Sequence, residues 1–325
     1  MRIFSGIQAT GDKHLGNLIG GFRQYAATQG RGEAFFCIVD LHSITVDYDP
    51  AEFRERTFDL AAILFATGLD PERSTYVFAQ SHVPAHAEAA WLLGSVTSFG
   101  QLGRMTQFKD KSDRHEFISA GLFTYPVLMA GDILLYQTDI VPIGDDQRQH
   151  LELTRDVAER FNRLFGDTFV VPEALIGESG ARIMGLADPE KKMSKSDDVP
   201  GQAIGIFDKP DDIRKAIMRA TTDSQREIRF DERRAGIFNL LTIFEVLSGE
   251  SRAGIEARFE GKGYGDFKKA LADVVLDALA PVQARYHELM TTGELDALLR
   301  RGAERAAPVA NKTLRQVKHA MGFLQ

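Results

Sequence analysis

Between residues 3 and 164, short apolar segments alternate with longer amphipathic ones, and this alternation constrains the fold more than any other feature of the chain. Residues 3–8, 34–39, 74–79 and 139–143 read as buried strands. The segments between them read as helices over 18–28, from Pro50 to near Gly68, from Pro84 through Trp91, over 126–136 and over 146–164. Asp49-Pro50 is a helix start, with a capping carboxylate followed by proline at the first helical position. Strands separated by helices pair in parallel and need helices on both faces, so the expectation is an α/β fold with a doubly wound parallel sheet. Such sheets bind ligands at the carboxyl ends of their strands. Beyond about residue 200 the pattern changes: 210–220, 236–248, 264–290 and 295–321 read as helical, with no strand between them. Two regions are therefore expected. Residues 1–200 form a sheet-based catalytic region and 201–325 a helical one, whose last helix is free to pack back on the first.

Two polar loops punctuate this pattern. The first, Thr10-Gly11-Asp12-Lys13-His14-Leu15-Gly16-Asn17, follows the opening strand and leads into a helix. Its glycines permit tight turns and close backbone approach, and the helix start offers unpaired N–H groups to an anion. It lacks the Gly-Lys-Ser/Thr ending of a Walker loop and the Gly-x-Gly-x-x-Gly spacing of a dinucleotide loop. Taken alone it is an ordinary strand–turn–helix joint. The second, Lys191-Lys192-Met193-Ser194-Lys195-Ser196, lies about 180 residues downstream and carries ammonium groups suited to charge on a departing pyrophosphate. Taken alone it is a solvated basic loop.

In this order the two loops resemble the paired signatures of class I aminoacyl-tRNA synthetases. The likeness extends through Ser5-Gly6-Ile7-Gln8, Phe36-Cys37-Ile38-Val39-Asp40, residues 104–109, residues 124–136 and the distinctive block from Ile140 through Gly144-Asp145-Asp146-Gln147-Arg148-Gln149-His150 to Asp156. Over nearly the whole chain it is a likeness to bacterial tryptophanyl-tRNA synthetases. Leu15 and Asn17 depart from the general class signature, and Asn17 is the tryptophanyl form. The resemblance implies a Rossmann-like catalytic domain, a helical anticodon reader, a homodimer, and tryptophan, tRNA(Trp) and ATP as substrates. Mg2+ would be carried by the nucleotide, with no structural metal. It also implies roles. Lys192, Lys195, His14 and Asn17 are catalytic. Gln8, Ala9, Thr10, Gly16, Asn17, Gly144, Asp145, Asp146, Ile183, Lys192, Met193, Ser194, Lys195 and Ser196 hold ATP. Lys111 is a further phosphate contact by the same likeness.

The choice of amino acid has a physical basis. Tyr125, Met129, Asp132, Ile133 and Tyr136 recur at helical spacing, and Asp132 interrupts an otherwise apolar face. A carboxylate among apolar neighbours is costly without a partner. An indole N–H, which can only donate, is one such partner. Phe4, Met129, Ile133 and Val141 would sandwich the ring, with Gly6 and Tyr125 lining the pocket and Gln147 at the substrate amino group. The competing readings are that Asp132 pairs with an arginine or caps a helix. Tyrosyl specificity and a paralogue that has lost tRNA charging are the rival functions.

Composition adds exclusions. Hydrophobic content of 44% and charged content of 26% are ordinary for a globular protein. No apolar run approaches the roughly 20 residues that span a bilayer, and the start lacks a signal-peptide core, so the cytoplasm is the expected location. Cys37, the single cysteine, excludes an intrachain disulfide and reads as inert core. The net charge of -7 argues against a generally basic nucleic-acid binder, although residues 296–325 carry a local +4. His82 and His86 are four apart and read either as a metal pair or as helix-start polar residues, and Trp91 as core or interface.

Overall fold

The computed structural model describes residues 1–9, 11, 13–112, 118–144, 147–175, 182–194 and 199–324, with backbone alone at 110–112. Five parallel strands form one sheet in the order β3-β2-β1-β4-β5. They are β1 (Arg2–Ile7), β2 (Glu33–Ile38), β3 (Thr75–Ala79), β4 (Ile140–Pro142) and β5 (Glu173–Leu175). β1 pairs in register with β2 from Arg2↔Glu33 to Ile7↔Ile38, and with β4 through Ile3↔Ile140. The chain thus builds outward from β1 on one side and then crosses to the other. The carboxyl ends of β1 and β4 flank the point where the strand order reverses, the standard ligand crevice of such sheets.

The strands are apolar on both faces because both faces are covered. Ile3, Ile7, Phe36, Ile38 and Val77 belong to one core, while Phe4, Phe35, Cys37, Val39, Phe78 and Val141 belong to the other. Helices α1 (Pro50–Ala66), α2 (Ala85–Gly94), α3 (Ala120–Leu134) and α4 (Arg148–Phe165) accompany the strands. The Asp49 side chain caps α1 by accepting from the Ala51 N–H at 2.8 Å, and Pro50 opens the helix. α3 begins at Ala120 rather than at Pro126 as the sequence suggested, because Ser119 supplies the cap and accepts from the Leu122 N–H. Pro126 lies inside the helix.

Beyond residue 200 the helices are α5 (Pro210–Arg219), α6 (Ala235–Ser248), α7 (Tyr264–Thr292) and α8 (Glu294–Ala320), with a short turn of helix at Arg252–Arg258 that the sequence reading omitted. α8 closes the exposed edge of β3. Its Leu295, Leu298 and Leu299 join one core, and Ala303, Ala306, Ala310, Leu314 and Val317 join the other. Gly302 marks the crossing, where a Cβ would lie 1.9 Å from the Val77 carbonyl oxygen. Only glycine permits that approach, and the approach shields an edge strand that would otherwise offer unpaired backbone groups. Among the described residues no helix is long and apolar enough to cross a membrane.

Candidate active site

The first loop leaves β1 through Gln8 and Ala9 and turns at Gly11, whose φ of +65° suits glycine. His14 then caps a short helical turn at Leu15–Asn17, and the Asn17 amide oxygen accepts from the His14 N–H at 3.0 Å. With its oxygen engaged, Asn17 can serve a phosphate only through its amide N–H groups. The helix continues through a π-helical stretch, Leu18–Phe22, of a kind often found beside functional sites.

The second loop is built on a clamp. Met193 N–H donates to the Ile183 carbonyl at 3.0 Å, and Gly185 N–H donates to Lys191 at 2.8 Å. Asn239 of α6 holds Met184 twice, accepting from its N–H at 2.8 Å and donating to its carbonyl at 2.9 Å. Lys191 is engaged with Asp188 at 3.4 Å, whereas Lys192 is exposed and Ser194 half-buried. Met193 is buried in the same core as Leu15, Ile183 and Ile204.

The two loops meet in space. A side chain at Gly16 would come within 3.5 Å of the Met193 Cβ and 3.0 Å of the His14 ring. The strap that follows the second loop pairs with the first: Leu15 N–H donates to Ile204 at 2.8 Å, and Ile206 N–H donates to Lys13 at 3.1 Å. Thr10, Asp145, Asp146, Lys195 and Ser196 lie outside the described residues, as does the Lys111 side chain. Gly144 is exposed just beyond β4, and its carbonyl accepts from the Gln147 N–H at 3.0 Å.

On the opposite face of the sheet, α3 packs Met129 and Ile133 in one core with Phe4 of β1 and Val141 of β4, and its Asp132 meets groups that follow β2 and β3. Phe4, Asp132, Ile133 and Val141 are buried, Met129, Tyr125 and Gln147 half-buried, and Gly6 exposed. A side chain at Gly6 would meet Val39 at 3.0 Å and Phe4 at 3.7 Å, so glycine keeps that space open.

Asp132 is neither paired with an arginine nor capping a helix. Its Oδ1 lies 2.6 Å from Gln80 Nε2 and 2.6 Å from His86 Nδ1, and its Oδ2 lies 2.8 Å from His42 Nε2. Burial pushes the carboxyl pKa up, but the hydrogen bonds from His42 and His86 outweigh it and hold the group at about 2. His42 stands beside Tyr125, with ring centroids 6.1 Å apart, and the Tyr125 hydroxyl lies 2.8 Å from His150 Nε2. Burial raises the Tyr125 pKa to about 12, so this group stays a phenol.

His42, Gln80 and Asn239 are the residues that sequence reasoning missed, while His86 was noticed without its partner Asp132. His42 and Gln80 follow the carboxyl ends of β2 and β3, a position that marks ligand crevices. Of the two readings of His82 and His86, the metal pair does not form: His86 lies in the first turn of α2, fully buried against Asp132, while His82 is exposed before it. Among the described residues no group of three or more His, Cys, Asp or Glu is placed to hold a metal ion. Trp91 is 83% exposed, which removes its reading as core.

A family model described as tRNA synthetases class I (W and Y) matches residues 1–280. The chain belongs to that class. Among its relatives, the tryptophan–tRNA ligase of Caldanaerobacter subterraneus is 53% identical over 324 residues, covering 99% of this chain and 98% of the relative. That of Bacillus subtilis is 52% identical over 322 residues, covering 99% and 97%. The crystal structure of tryptophanyl-tRNA synthetase from Mycoplasma pneumoniae superposes with a TM-score of 0.88 at 38% identity, covering 99% of this chain and 98% of that one. The Campylobacter jejuni enzyme, solved with ADP and tryptophan, gives 0.86 at 33% identity, covering 99% and 100%. Within the class, the chain is a member of the bacterial tryptophan–tRNA ligase family.

Proposed function

We infer that the chain charges tRNA(Trp) with tryptophan in two steps. The tryptophan carboxylate attacks the α-phosphorus of ATP, the bond to the bridging oxygen breaks, and pyrophosphate leaves. The 2′-hydroxyl of the terminal adenosine then attacks the adenylate carbonyl, and AMP leaves. Mg2+ enters with the nucleotide as part of the substrate. The observation that supports the amino-acid choice is Asp132, a buried ionised acceptor on the helix that also carries Met129 and Ile133, which pack in one core with Phe4 and Val141. A ring that fits the slab but lacks a donor leaves that acceptor unpaired, and such a mismatch can reach about 10⁴-fold in discrimination.

Gly6, Tyr125 and Gln147 complete the tryptophan site in this reading. Gln8, Ala9, Thr10, Gly16, Asn17, Gly144, Asp145, Asp146 and Ile183 surround the nucleotide. His14 and Asn17 meet its phosphates, and Lys192, Met193, Ser194, Lys195 and Ser196 close over them. The hydrogen bond from the Leu15 N–H to the Ile204 carbonyl supports this closure, because it ties the first loop to the strap that follows the second. Residues 1–200 carry the chemistry and 201–325 read the anticodon, with the enzyme working in the cytoplasm. The exposed Trp91 and Phe99 seat a second copy of the chain.

Pyrophosphate exchange with each of the twenty amino acids, followed by charging of total tRNA, tests the assignment. Exchange with tryptophan alone, and charging of one tRNA species, are expected. Exchange with tyrosine would restore the tyrosyl rival, and exchange without charging would restore the paralogue.

A further inference from the structure

Asp132 has more partners than a single ligand contact requires. The carboxylate offers about four acceptor positions, and three are filled from within the chain by Gln80, His86 and His42. Gln80 and His86 both approach Oδ1, whereas His42 alone approaches Oδ2, on the side of Tyr125. Behind His86, its Nε2 lies 2.9 Å from the Tyr136 hydroxyl. His86 and Tyr136 are both fully buried. An ionised carboxylate only accepts, so the facing Nδ1 carries the proton, and the Nε2 of a neutral ring then accepts from the Tyr136 hydroxyl. Burial keeps Tyr136 a phenol by raising its pKa, so it stays a donor.

We propose that His86, locked in one tautomer by Tyr136, is a positioning residue: it saturates Asp132 Oδ1 so that the carboxylate can meet the indole N–H only through Oδ2. The role depends on the reading of Asp132 as the indole acceptor. Its consequence is narrow. A misoriented carboxylate harms tryptophan, which has the N–H, and leaves an isosteric ring without one nearly unaffected.

The test measures kcat/KM in pyrophosphate exchange for tryptophan and for 3-benzothienylalanine, in which sulfur replaces the N–H. The wild-type enzyme should prefer tryptophan by a factor on the order of 10² or more. His86→Asn places an amide N–H near the Nδ1 position and should keep the preference within about 3-fold of wild type, while His86→Gln places it near Nε2 and should lower the preference about 10-fold or more. Tyr136→Phe, which removes the tautomer lock without emptying the core, should lower it by roughly 3- to 10-fold. This variant keeps the test decisive if His86→Gln does not fold. Equal losses for both substrates, leaving the preference unchanged, would reduce His86 and Tyr136 to structural residues. A wild-type enzyme with no preference would overturn the Asp132 reading itself, which separates the two failures.

Discussion

Replacing Asp132 with asparagine isolates the one hydrogen bond proposed to select the substrate. Asp132→Ala would not, because it leaves Gln80, His86 and His42 without their shared acceptor. At roughly 1–3 kcal/mol for each buried donor, that loss approaches the whole stability of a domain. The asparagine keeps the shape, and its single oxygen takes the Oδ1 position, where two donors converge. Gln80 cannot simply turn around to favour the opposite arrangement, because its Oε1 already accepts from the Leu41 N–H at 3.1 Å. The new NH2 therefore stands at Oδ2. His42 can shift its proton to accept from it, but an indole N–H cannot. A donor then faces a donor at the floor of the pocket. Losing a buried charged partner costs about 2–5 kcal/mol, or roughly 30- to several-thousand-fold in kcat/KM for tryptophan. The apparent KM for ATP should change little. Exchange kinetics measure the loss, and near-UV melting checks the fold. A variant that activates tryptophan within about 3-fold of wild type would refute the assignment of Oδ2 as the indole acceptor.

Lys192→Ala should slow adenylate formation by roughly 10- to 10³-fold while tryptophan affinity holds, since charge on the departing pyrophosphate peaks in the transition state; single-turnover kinetics would contradict this by showing lost affinity with normal chemistry. Gly302→Leu drives a side chain into the Val77 carbonyl, which a Cβ would already meet at 1.9 Å. It should cost about 3 kcal/mol and lower Tm by roughly 5–10 °C, and an unchanged melt would deny the close packing of α8 on β3. The Asp132 carboxyl is depressed from 3.8 to about 2, so the stability owed to its ionisation is complete above pH 4 and drains away as pH falls toward 2. The urea midpoints of wild type and Asp132→Asn should therefore differ more at pH 5 than at pH 2.5, and an equal gap at both would mean that the group is not ionised in the fold. Arg300 is paired with Asp296 at 2.7 Å, and Arg305 lies 4.6 Å over the Tyr76 ring. Arg301 is thus the cleaner probe of a C-terminal RNA contact: Arg301→Ala should reduce the salt slope of tRNA binding by about one, and an unchanged slope removes α8 from the RNA face.

The strands β1 to β4 were legible because helices cover both faces of the sheet, which writes each strand as a nearly continuous apolar run. β5 was not, since it is three residues long and all three are exposed, so it shows neither the length nor the burial pattern of the inner strands. Pro126 misled the start of α3, because a proline reads as a helix opening while the true cap, Ser119, is an unremarkable serine. Asp132 stood out as a charge on an apolar face, yet its partners did not. They lie 90, 52 and 46 residues away in sequence, and a polar residue after a strand looks like any loop residue until the strands are side by side. Asn239 was hidden for the same reason, as a single amide in an apolar helix whose contact with Met184 spans 55 residues.

The alternation of β1 explains how two substrates can meet without a reacting side chain between them. Phe4 belongs to the core under α3, whereas Ile3 and Ile7 belong to the core that anchors Leu15 and Met193. One strand therefore packs one set of side chains under α3 and the other against the two polar loops, the proposed tryptophan and nucleotide sites. The two sets converge where the strand ends, at Gln8, just beyond the exposed Gly6. In the proposed reading, a tryptophan held by its indole at Asp132 would extend its carboxylate toward that end, where the loops would hold the α-phosphate. The approach of nucleophile to phosphorus is then set by the two-residue period of a buried strand, which is stiff on the scale of the reaction, and catalysis reduces to positioning and to the charge supplied by the second loop.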